Sequence, residues 1–409
     1  MRLFETIFFV AMITRVPGNA VEELDPYPQF LDPKQAINLA QDWGHGYPAG
    51  TVHIDLLNIT SSSSSFEVRT FDPEGVLLFG DSRGGHDWFL LGLRGGRPEI
   101  HIHNQMAKVS VSGGPTVNDG EWHKIVVRSQ EHRIVLEVDD QESLRIGHVS
   151  EGVTSSLDTT MRIAVGGILT NSSELMEPLH IPLDACVRNW VFLSVTPKWL
   201  LDPIFLPHSK RCFASHRKGS YFPGSGNVAY RTSDLPTASA QTGEPWTLSL
   251  QMDLHLESLS FSLLSVSHPE TGTILLLRGQ DKNLFVELGN DTVVTQALAD
   301  VGGSDGYKFH LSITPKSVTL QCGNEKEIAD ISEGHYSALK HSWTDKEGIV
   351  YIGGAPTSQE ESPGHFRGCL ENIRIQGRLM DLDSAWYKSN SVWSHSCPPK
   401  LLPITRPSS

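Results

Sequence analysis

Phe66-Glu67-Val68-Arg69-Thr70 alternates apolar with charged or polar side chains, the period of a β-strand with one face on a core and the other in water. The same rhythm returns in Ile100-His101-Ile102-His103-Asn104, in Ile134-Val135-Leu136-Glu137-Val138 and in the stretch from Ile313 to Leu320. Clusters of Gly, Pro, Asn and Asp separate these short runs, and 36 Gly with 24 Pro supply the turns that many strands need. No long amphipathic helical pattern interrupts them. The reading is all-β, with antiparallel strands in a sandwich or barrel.

Laid on itself, the chain repeats. Asp119-Gly120-Glu121-Trp122-His123 is echoed by Asp305-Gly306-Tyr307-Lys308-Phe309-His310, and Gly166-Gly167 by Gly353-Gly354. Cys186 and Cys212 are echoed by Cys369 and Cys397, and all these landmarks recur 183 to 187 residues apart. Two tandem domains follow, set at residues 45–213 and 241–400. A Ser-, Pro- and Gly-rich linker is expected over 214–240, an N-terminal segment over 21–44 and a tail over 401–409.

The 409 residues are 39% hydrophobic and 20% charged, the composition of a globular chain. A net charge of -14 is the wrong sign for neutralising phosphates, which argues against nucleic acid and anionic membranes as partners. Arg2, the apolar run Thr6 to Ile13 and Gly18-Asn19-Ala20 form a secretory signal pattern over residues 1–20, too short to span a bilayer. Export permits disulfides, and Cys186 with Cys212 and Cys369 with Cys397 can close one local loop in each copy. Cys322 is left over and shares inward parity with Val318 and Leu320, so it reads as a buried, inert thiol. Sequons at Asn58, Asn171 and Asn290 favour surface glycans on an exported protein.

Polar residues on apolar parity are the informative ones. Ser64 shares the parity of Phe66 and Val68, Asp87 that of Phe89, Leu91 and Leu93, and Asn104 that of Ile100, Ile102 and Met106. Each is set inward, where a buried polar group needs a backbone neighbour, a water or a ligand. Ser, Asp and Asn are also ordinary turn formers at strand ends, and Ser61 to Ser65 has a loop-like composition. Met106, Phe89, Val127 and Met161 fall on inward parity in the same copy, a set that suits a flat apolar ligand with a polar atom at each end.

Ser63 to Gly75, Asp87-Trp88-Phe89, Gly95 to Ile100, His103-Asn104, Asp119 to His123, Met161 to Ala164 and Trp393 to Cys397 together resemble the sex hormone-binding globulin family. The likeness runs over roughly residues 45 to 400. It implies two tandem laminin G-like antiparallel β-sandwiches of jelly-roll type, and a secreted plasma carrier with androgens and estradiol in the first domain. By the same resemblance Ser64 donates to the ring-A oxygen of the steroid, while Asp87 and Asn104 hold the ring-D oxygen. Phe89, Val127, Met161 and Leu193 fall on the apolar wall, and a homodimer is implied. Gln105 and Asp158 replace the histidines of a zinc site, so no such site is expected. Ser129 stands where a pocket methionine belongs. In copy two Trp246 and Leu288 occupy the places of the anchoring Ser and Asn, so that domain is not expected to hold steroid by these contacts.

Asp72-Pro73-Glu74-Gly75 offers two carboxylates beside a turn, of the hard-oxygen type calcium takes, or a plain type I turn. The resemblance favours a structural calcium. His101 and His103 read as solvated residues on the outward face, and His123 as support for its strand. No G-x-S-x-G, H-E-x-x-H, P-loop or G-x-G-x-x-G context is present, so no enzyme and no catalytic cofactor are expected. The competing readings are a receptor ligand or adhesion protein of the same fold and, third, a lectin.

Overall fold

The computed structural model describes residues 30–31, 35–44, 46–59, 61–82, 85–104, 107–130, 133–147, 160–193, 210–236, 245–298, 306–356 and 364–399. Four antiparallel sheets make two sandwiches. In the first unit one sheet runs, in spatial order, Ile37–Asn38, Ala185–Val191, Ser63–Thr70, His123–Gln130, Arg133–Val138 and Gln141–Gly147. Its partner runs Gly50–Asp55, Thr160–Val165, Gly75–Ser82, Asp87–Arg94, Arg97–His103 and Lys108–Ser112. The second unit repeats both orders. Ser220–Pro223, Arg367–Ile375, Leu248–Leu256, Tyr307–Ile313, Ser317–Cys322 and Glu325–Asp330 form one sheet. Asp291–Ala297, Asn283–Leu288, Gly272–Gln280, Phe261–His268, Ile349–Ile352 and Val228–Arg231 form the other, which Tyr387–Lys388 extends.

Two expected boundaries change. Ser220–Pro223 and Val228–Arg231 lie inside the stretch assigned to a linker, yet each pairs with a core strand, at Arg367–Leu370 and Ile349–Ile352. They are the counterparts of Ile37–Asn38 and Gly50–Asp55 in the first unit. Strands of two to four residues carry no readable alternation, and here the hydrogen-bonding partner lies more than a hundred residues away in sequence. By the same argument the first unit begins before residue 45, since Ile37 and Leu39 are in its core. A single α-helix of the described residues, Glu333–Thr344, packs Leu339 and Trp343 against the second core and is capped by Ser332, which accepts from His335 N–H. Its apolar stripe is too narrow to stand out in the sequence.

The Asp-Gly motif that marked the repeat has a steric origin. Gly120 at φ 89° and Gly306 at φ 60° are left-handed, and a Cβ on Gly120 would lie 2.2 Å from Phe71. His123, three residues on, bridges Asp139 (2.8 Å) and Asp119 (3.0 Å), so it supports the strand as expected. Burial pushes its imidazole pKa down, but the bonds to Asp139 and Asp119 outweigh that and hold it above the ordinary value. A raised pKa means the contribution is full below about pH 6.5 and fades as pH rises through the folded value. His123→Gln should therefore cost about 0.5 kcal/mol in urea unfolding at pH 6 and progressively less at alkaline pH; an equal cost across that range would reject the charged bridge.

Both expected disulfides, Cys186–Cys212 and Cys369–Cys397, are formed. Cys322 is a buried free thiol whose pKa burial pushes up to about 12. The two units are joined by aromatic packing. Phe213, just after the first disulfide loop, stacks on Phe30 at 5.0 Å and meets Tyr221 and Trp393 of the second unit at 5.6 and 5.5 Å. Asp184 of the first unit accepts the backbone N–H of His395 at 2.9 Å. Residues 1–29, 32–34 and 400–409, which hold the expected signal segment and tail, lie outside the described residues.

Candidate ligand site between the first two sheets

The inward faces of the first unit do not close completely. A cavity of about 240 Å³ lies between its two sheets, just under the roughly 300 Å³ at which small-molecule pockets begin. One sheet contributes Ser64 and Phe66 with Val127, Ser129 and Ile134, and the other contributes Leu78, Phe89, Leu91, Ile100, Ile102 and Met161. Trp190, Phe192 and Leu193 close one side. Of the residues selected by parity or resemblance, Ser64, Phe89, Val127, Met161 and Leu193 are thus brought to one cavity.

Ser64 sits at the start of Ser63–Thr70, opposite Val127, inside a strand rather than in the loop its neighbours suggested. Leu193, left-handed at φ 47°, turns its N–H onto Ser64 Oγ at 3.2 Å. That bond uses an acceptor lone pair and leaves the hydroxyl proton to donate elsewhere. Ser129 lies across from Ser62, whose carbonyl accepts the Ser129 N–H at 2.9 Å, so a second and third hydroxyl stand beyond Ser64.

Asp87 and Asn104 do not line the enclosed volume. They lie one inward step beyond Phe89 and Ile102, which pair across the sheet and do line it. Trp88 pairs with His103, so the register continued by one residue sets Asp87 against Asn104. Both are half-buried, and Asn104 Oδ1 accepts the Ala107 N–H at 2.7 Å in a turn. At about 3.4 Å per residue this polar pair lies about 7 Å along the strand from the last ring on the wall. Met106, Gln105 and Asp158 lie outside the described residues, and so does the side chain of Asn58.

Sequence reasoning missed Trp190, Phe192, Ile134 and Leu78. The last belongs to Gly75–Ser82, buried on both faces for nearly its whole length, so it shows no alternation. The same burial overturns the reading of His101 as solvated. His101 is 0% exposed and contacts Glu99, itself chelated by Arg94 (2.5 and 3.0 Å). The reason is tertiary: Leu175 and Leu179, with Ile168 and Ile181 beside them, pack on the outer face of this sheet. His103, nearer the strand end, is half-buried and stacks on Trp88 at 5.1 Å.

Asp72 and Glu74 are of the right type for calcium but do not form one donor set in this arrangement. Asp72 is buried, with Oδ1 accepting Glu74 N–H (3.1 Å) and Oδ2 accepting Asp184 N–H (2.8 Å). Glu74 turns away, accepting His180 N–H at 3.1 Å beside Arg94. Asp72 converges instead with Asp383 and His395 of the second unit. Burial pushes the Asp72 carboxyl up to about 7 against the pull of His395. An imidazole 3.6 Å from Asp72 and 3.0 Å from Asp383 already occupies the place of a cation.

The Laminin G domain family matches residues 68–196, the heart of the first sandwich. Sex hormone-binding globulin of Crocuta crocuta is 34% identical over 373 residues, 91% of either chain. The chain belongs to the sex hormone-binding globulin family. Human sex hormone-binding globulin is likewise 34% identical over 382 residues, covering 93% of this chain and 91% of its own. The mouse laminin alpha1 chain, domains LG4-5, superposes with a TM-score of 0.66 over 92% of this chain and 99% of that one, at 19% identity. That likeness establishes the pair of laminin G-like sandwiches. Within the family frame, Trp246 and Leu288 of the second unit are buried apolar residues, and Trp246 packs against Tyr336 and Trp343.

Proposed function

We propose that the chain is a secreted carrier that holds androgens and estrogens non-covalently between the sheets of the first unit. The observation that carries this reading is the apolar slot with the Ser64 hydroxyl in its wall, Ser62 and Ser129 beyond it, and the Asp87–Asn104 pair one step past Phe89 and Ile102. A flat hydrocarbon oxygenated at both ends matches that distribution. Relatives named for binding sex hormones, aligned over nine-tenths of the chain, support it.

Burying roughly 300 to 400 Å² of ligand carbon contributes about 8 to 10 kcal/mol, against association costs of several kcal/mol. Apolar burial drives binding. A neutral hydrogen bond adds only about 1 kcal/mol net, whereas an unpaired buried polar group costs about 1 to 3 kcal/mol, so the oxygenated ends set selectivity. The test is retention of tritiated dihydrotestosterone and estradiol after charcoal stripping. Ser64→Ala should weaken the two unequally, by about five- to hundredfold, and Asn104→Ala should act mainly on 17-hydroxylated ligands. Unchanged affinities in both variants would reject these roles. Homodimer formation belongs to the same proposal: Lys108–Ser112 and Gln141–Gly147 are edge strands that offer backbone groups to a second copy, and sedimentation reads the state.

A further inference from the structure

We propose that Asn171 carries an N-linked glycan whose first sugars lie in a groove between residues 43–44 and 46–48 on one side and the connection 168–182 on the other. This groove of about 680 Å³ is separate from the slot between the sheets and is lined by Trp43, Tyr47, Leu169, Asn171, Leu179 and His180 among others. Its walls mix ring and aliphatic carbon with polar groups, a composition suited to a sugar, whose C–H faces lie on aromatic rings while its hydroxyls find polar partners.

Two features point to that occupant. Asn171 opens the sequon Asn171-Ser172-Ser173 and is itself exposed on the groove. Its Oδ1 accepts from Ser173 N–H (3.0 Å) and from Ser173 Oγ (2.9 Å). Both bonds use the amide oxygen, so neither engages Nδ2, the atom that would bear the sugar. In the transfer, Nδ2 loses a proton and bonds to the anomeric carbon of a polyprenyl-diphosphate-linked oligosaccharide as that carbon's bond to phosphate breaks and the lipid diphosphate leaves. The second feature is the receiving wall. Tyr47 is 65% exposed on the groove, and half-buried Trp43 lines it as well, so two aromatic rings are available to the C–H face of a sugar. A glycan tethered at the rim meets these groups at high effective concentration.

The inference presupposes passage through the secretory pathway and in that respect rests on the proposed export. The full chain is therefore expressed in animal cells twice, once with its own residues 1–20 and once with a heterologous leader in their place. Secretion of the second preparation alone would count against the native leader and leave the glycan to be judged on that preparation. Peptide mapping after enzymatic deglycosylation in heavy-oxygen water is expected to show Asn171 converted to labelled Asp, and an unmodified Asn171 peptide in the secreted protein overturns the proposal. On the folded protein, peptide N-glycosidase should release the Asn171 glycan about fivefold faster from Tyr47→Ser than from the parent, with equal rates once both are unfolded. Trp43→Ser, which removes the other ring of the wall, gives the second reading of the same effect. Equal release from the folded parent and both variants would overturn the seat in the groove.

Discussion

Gly80→Val should abolish steroid retention while leaving the second sandwich folded. Gly80 lies between Phe89 on one neighbouring strand and Ile163 on the other. It shares the inward parity of Leu78, which lines the slot. A Cβ built on Gly80 would lie 2.3 Å from Phe89 Cε1 and 2.8 Å from Ile163 Cδ1. The Phe89 ring therefore rests across the glycine, and any side chain there must drive that ring into the cavity. Even Gly80→Ala carries an overpacking cost of about 1 to 3 kcal/mol, relieved only by giving up cavity volume. We expect at least about a tenfold loss of dihydrotestosterone affinity for Ala, from about 1.4 kcal/mol, and no measurable retention for Val. Parent-like affinity of a folded Gly80→Ala protein would mean that the ligand sits elsewhere.

Phe213→Ala is expected to split one unfolding transition into two. Phe213 is 2% exposed and touches Phe30, Tyr221 and Trp393, so its ring is shared by both units. Truncating a buried Phe costs about 3 to 5 kcal/mol, and here most of that loss falls on the joint. Arg69, whose guanidinium donates to the carbonyls of Phe213 and Ala214 and lies 4.7 Å from the Trp122 ring, keeps the backbone in place, so the disulfide loop stays docked. Calorimetry should then resolve the second unit, with its larger contiguous core, melting after the first. A single cooperative transition that merely shifts would show that the aromatic cluster is not what couples the units.

These two residues mark the boundary of what could be read in advance. Nothing in the text around Gly80 separates it from a turn glycine, because its function is defined by a ring on the adjacent strand. Ser64, Phe89, Val127 and Met161 were legible because strand parity is a local property, and it sets each on the apolar face of its own strand whatever the partner strand is. Asp87 and Asn104 were placed inward by the same rule, but only the register shows them opposite one another and one step past the enclosed volume. His101 was misread for the complementary reason: parity tells which face a residue takes, never whether a connection seventy residues later covers that face.

Alternation, the repeat of 183 to 187 residues and the cysteine spacing are written along the chain, so they determined an all-β protein of two units with one staple in each. Burial of the outer face by residues 168–181, the opposition of Asp87 and Asn104, the short strands hidden in the expected linker and the aromatic joint all depend on contacts between residues distant in sequence. Local periodicity encodes the direction of a side chain relative to its own strand. What that side chain meets is set when sheets close on one another, and only the tertiary structure decided it.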